Sequence, residues 1–256
     1  MTHRLVVTAL TVALLTAPFA RALVHSAVVS GREIHATQRP IDDKSGDTVR
    51  APIEFLNLDG AKPNSALPDG WRTRAVRGQR APSSRVVDSA GVKFLRIEGT
   101  DAAGWFVRAV EPRLRPVPGV LAWQWRFPEY PELADMRAPG TDDSALRVFV
   151  AFGPIRAIGR APRTIFYSIG GPEPAAHASF GHSSRDVFVV RVGSAAAARD
   201  WTAVRMDPFA DYRRAWGSEP PSIAVIGVLQ DTEQTRGRAV AELRSLSWNP
   251  AGATSP

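Results

Sequence analysis

Cysteine is absent from all 256 residues, and lysine is nearly so: Lys44, Lys62 and Lys93 are the only lysines among 32 basic residues. Without cysteine there is no disulfide framework, no thiolate zinc site and no thiol nucleophile. The chain also lacks a GxGxxG or P-loop pattern, so nothing supports a nucleotide cofactor. Recurring amphipathic helices are missing too, which argues against an α/β fold. The net charge of +7 is therefore almost wholly arginine. These arginines stand singly between apolar residues and acids, with no basic run and no recognisable nucleic-acid motif, so no nucleic-acid partner is expected.

What the chain does have begins with a short basic start over Met1 to Arg4 and an apolar stretch from Leu5 to Ala20. The triplet Ala20-Arg21-Ala22 fits signal peptidase, so residues 1–22 read as a signal peptide cleaved after Ala22. The apolar stretch is short for a membrane span and contains Pro18. No stable transmembrane segment is expected after cleavage, and the expected location is periplasmic or secreted. Losing Arg4 and Arg21 lowers the charge from +7 to +5. Residues 23–52 read as a poorly ordered leader, 53–248 as one domain and 249–256 as a flexible tail.

Two stretches organise the domain. From Val120 to Phe127, Trp123, Trp125 and Phe127 alternate with Gln124 and Arg126, the period of a half-buried strand. From Leu146 to Phe152 only Arg147 is charged, which predicts a strand covered on most of both faces. Similar runs occur at 53–58, 92–98, 105–110, 163–169, 187–192, 201–206, 222–230 and 240–248. Residues 170–184 read as a long loop. One helix is predicted over 207–216, where Asp207 caps, Pro208 takes the first position, Phe209, Tyr212 and Trp216 recur near helical spacing, and Gly217 closes. About ten short strands with turn residues between them predict an all-β fold, an antiparallel jelly-roll-type β-sandwich.

Candidate chemistry lies in two acidic loops. Asp135, Asp142 and Asp143 precede Arg147, a grouping that suits sugar hydroxyls or a division into acid and base. The same residues suit a structural role, because aspartates at a strand start cap turn amides and a buried arginine needs a carboxylate partner. Asp231, Thr232, Glu233 and Gln234 form an oxygen-rich turn that admits calcium, although the EF-hand spacing is absent and Asx-type hydrogen bonding accounts for the turn as well. No other cofactor is expected. Trp71 and Trp201, at strand starts beside loops, are the candidate stacking platform for sugar rings. His177 and His182 lack a third ligand and read as solvated loop residues.

Several pieces in order carry a resemblance: Leu121-Ala122-Trp123-Gln124-Trp125, Ala134-Asp135-Met136-Arg137, Asp142-Asp143 with Arg147 to Phe152, Ile165-Phe166-Tyr167-Ser168, Phe209-Ala210-Asp211-Tyr212, Ile226-Gly227 and Asp231 to Thr235. Over roughly 53–248 the chain resembles a bacterial family known as domain of unknown function 3047. The family usually has a second aspartate where this chain has Glu233. The resemblance implies an exported domain similar in build to carbohydrate-binding sandwiches. With no complete catalytic motif in the chain, a non-catalytic module for a glycan or other cell-envelope polymer is the leading expectation. A hydrolase or lyase pairing Asp142 or Asp143 with Asp231 or Glu233 is the alternative, and it requires both loops in one cleft with carboxyls about 5 to 10 Å apart. A structural envelope protein is the third reading.

Overall fold

The alternating strands pair into two sheets whose apolar faces meet. The structure, a computed structural model, describes residues 52–110, 118–138, 140–153, 162–171 and 180–251. The expected signal peptide, nearly all of the expected leader, His177 and the end of the expected tail lie outside these residues. In the first sheet, β3 (Ser83–Ser89), β4 (Val92–Thr100), β13 (Arg238–Pro250), β6 (Gly119–Glu129) and β11 (Thr202–Met206) lie side by side, and β1 (Ile53–Leu56) also pairs with β13. The second sheet runs in the order β2 (Trp71–Ala75), β5 (Ala103–Ala109), β12 (Ile223–Asp231), β7 (Ser144–Phe152), β8 (Arg163–Gly170), β10 (Val187–Ser194), β9 (Phe180–Ser184). The protein is an antiparallel jelly-roll-type β-sandwich with one short described helix, α1 (Pro208–Trp216). Among the described residues no helix is long and apolar enough to cross a membrane.

Between the sheets, Trp123, Trp125 and Phe127 of β6 meet Leu146, Val148, Val150 and Phe152 of β7, and all are buried. Each large apolar side chain placed there contributes on the order of 2 kcal/mol of transfer free energy. Gln230 is also fully buried, and its amide donates to the carbonyls of Ile97 in the first sheet and Ala145 in the second. A polar strut thus spans the apolar layer. α1 closes one end: Asp207 accepts from the Phe209 and Ala210 amides, and Gly217 takes the left-handed conformation at φ 61°. Phe209 and Tyr212 pack on Phe152, and Phe209 also meets Trp248.

Four features depart from the sequence reading. β3 is a strand that the pattern did not announce, because it buries a single residue, Val86, and β2, expected only as a strand start at Trp71, runs on to Ala75. Residues 180–184, expected within a loop, form edge strand β9, with His182 paired opposite Phe188. β10 inserts between β8 and β9, so β8 and β10 run parallel in a sheet that is otherwise antiparallel among the described strands. β13 continues to Pro250, two residues past the expected domain end, because Asn249 and Pro250 still pair with Val120 and Gly119.

Candidate functional site

The second sheet is apolar on its outer face as well as its inner one. Trp105, Phe149 and Phe166 stand side by side there, with Trp105 to Phe149 ring centres 5.2 Å apart and Phe149 to Phe166 5.7 Å. Gly227 lets Phe149 lie across β12, since a Cβ at that position would come 2.9 Å from the phenyl ring. Next to this floor the ladder sets Trp105, Leu229, Arg147, Ser168 and Arg191 in one row across five strands. Directly paired residues share a face, so Arg147 points outward with Trp105. It is nonetheless only 7% exposed.

One pleat further on, about 7 Å along the strands, the two acidic loops meet. β7 and β12 are neighbours, and Asp231 at the end of β12 pairs with Ser144 at the start of β7. That pairing brings Asp142 and Asp143 against the 231–237 turn. Asp143 is fully buried and accepts from the amides of Gln234, at 3.2 Å, and Thr235, at 2.8 Å, and from the Thr235 hydroxyl. Asp143 therefore fastens one loop to the other. Arg147 donates through Nη2 to the Asp142 carbonyl and lies 3.8 Å from the Asp142 carboxylate. Its Nε has no partner among the described residues, and neither has Asp231 Oδ1 or Gln234 Oε1, though all three atoms are sealed from solvent. Unpaired buried polar atoms are costly, and this end of the sandwich holds three of them.

The electrostatics follow from this crowding. Burial pushes the Asp231 carboxyl up to about 7; Arg147 opposes the rise, while Asp143, Glu233 and Asp142 add to it. Glu233 is raised in the same direction, chiefly by burial and then by Asp143, Asp101 and Asp142. Gln79 donates to Glu233 at 2.9 Å, and the β4–β5 corner is laced to the same turn by hydrogen bonds between Ala102 and Thr232. Gln79 and Asp101 belong to this end of the sandwich and were not among the residues singled out from sequence, whereas Gln234 was read there as part of the oxygen-rich turn. No group of three or more acidic or histidine side chains among the described residues is arranged to hold a metal ion.

Of the sequence candidates, Asp142, Asp143, Arg147, Asp231 and Glu233 are brought together. Asp135 lies further back in the 130–141 loop, where its carboxylate pairs with Arg137 at 2.5 Å. Trp71 faces the sandwich interior at 6% exposure, its indole donating to the Phe55 carbonyl at 2.8 Å. Trp201 stands on the other sheet, stacked by the Arg126 guanidinium at 4.7 Å and touched by Phe94. Neither tryptophan joins the acidic end.

Comparison with known proteins gives a family and a set of distant folds. No curated protein matches the chain. Among solved structures, the family 11 carbohydrate-binding module of the cellulosomal cellulase Lic26A-Cel5E of Clostridium thermocellum is 10% identical over 78% of this chain and 95% of that one, with a TM-score of 0.40. The CBM22-1 xylan-binding domain of Paenibacillus barcinonensis Xyn10C is 12% identical over 82% and 100%, with a TM-score of 0.36. Endoglucanase 3 of Trichoderma harzianum, from family GH12, is 9% identical over 81% and 98%, with a TM-score of 0.39. The model of the family described as Protein of unknown function (DUF3047) matches residues 69–247. That span takes in most of both sheets, α1 and the two loops that meet at Arg147, and the chain belongs to this family.

Proposed function

We propose that the protein is an exported module that binds a glycan or another cell-envelope polymer at the acidic end of the second sheet. One observation supports this most: loops 91 residues apart in sequence, as Asp143 is from Gln234, meet beside Arg147 and leave its Nε and Asp231 Oδ1 unpaired. Sugar hydroxyls both donate and accept, so one ring can serve a guanidinium and a carboxyl together. The aromatic row beginning at Trp105 continues from the same spot along the sheet.

The test is thermal melting of the full chain against a panel of envelope and plant oligosaccharides. A ligand present at a hundred times its Kd adds about 2.7 kcal/mol of stability, a shift that melting curves resolve. Arg147→Ala and Asp142→Ala should abolish the shift. A flat response across the panel would leave the acids with a purely structural role.

A hydrolase or lyase is the second reading, favoured by the proton that Asp231 holds near neutral pH beside Asp142 and Glu233. Two carboxyls with separated proton affinities are what acid–base cleavage of a glycosidic bond uses. Chromatography of each bound oligosaccharide after long incubation decides it: products that vanish in Asp231→Asn support cleavage, and intact ligand removes it.

A further inference from the structure

We draw no further inference here: the strongest candidate, the apolar outer face of the second sheet around Trp105, Phe149 and Phe166, is sealed at 7%, 1% and 5% exposure, and nothing among the described residues shows what covers it.

Discussion

At one end of the sandwich the turns are closed by carboxylates; at the other, about 27 Å away along β7 at 3.4 Å per residue, the same two sheets are closed by rings. Asp143 holds the 231–237 turn with three hydrogen bonds, and Asp231 sits beside it half sealed. At the far end Phe209, Tyr212 and Trp216 of α1 pack on Phe152, Phe188 and Trp248, and Arg163 lies over the Tyr212 and Trp216 rings at 5.5 and 5.2 Å. Several polar groups of the ring end are matched, although the buried Ser184 hydroxyl beside it has no partner among the described residues. Asp211 accepts from the buried Tyr167 hydroxyl at 2.9 Å, and Arg163 donates to the Tyr212 hydroxyl at 2.8 Å. Arg147 Nε, Asp231 Oδ1 and Gln234 Oε1 give the acidic end three unpaired buried atoms, against one, Ser184 Oγ, near the ring end.

Mutation should separate the two ends by mechanism. Phe209→Ala should cost most, about 4 kcal/mol, because it opens a cavity between α1 and Trp248. Chemical denaturation at pH 5 and pH 8 should return the same loss. Asp143→Ala should cost about 3 kcal/mol by stripping a charged acceptor from two amides and a hydroxyl, and hydrogen exchange should show the 234–235 amides opening first.

Between pH 4 and pH 8 the pH dependence comes chiefly from the acidic end, although burial also raises the Asp211 carboxyl under α1. Asp231 has a folded pKa raised from 3.8 to about 7, so its contribution is fully present below pH 4 and is lost as pH rises through about 7. A shift of that size corresponds to about 4 kcal/mol, which partial exposure of the residue screens to about 2. Asp231→Asn should therefore flatten the fall in melting temperature between pH 4 and pH 8, and a profile that keeps the wild-type slope would move the titration elsewhere. Asp207→Ala should have the smallest effect, about 1 kcal/mol, as the loss of one helix cap. Helix circular dichroism on melting checks it.

The ring end was the more legible in sequence, since capping and helical spacing are local rules. Asp207, Pro208 and Gly217 stand where those rules place them. The central strands were legible for the same reason: alternation at Trp123, Trp125 and Phe127 is read residue by residue. Of the edge strands β11 was legible, whereas β3, and β2 beyond its start at Trp71, each bury one side chain and leave no period to detect. For the acidic end the chemistry of each loop could be named, but their meeting depends on β12 lying beside β7, which no local pattern encodes. The tryptophans show the limit most clearly. Trp71 and Trp201 both sit at strand starts in the sequence, yet one donates into the core and the other is covered by Arg126 on the opposite sheet.

The insertion of β10 between β8 and β9 also constrains the order of assembly. β9 and β10 are joined by a tight turn and can zip together in about 1 to 10 μs. β8 cannot take up its parallel partner by the same local route, because Tyr167 must find Val190 with β9 lying between them in the chain. The hairpin therefore forms first and docks as a unit, and its arrival on β8 completes the far side of the second sheet. Refolding followed by pulse-labelled exchange should show protection in β9 and β10 well before protection spreads to the β8 side of that junction.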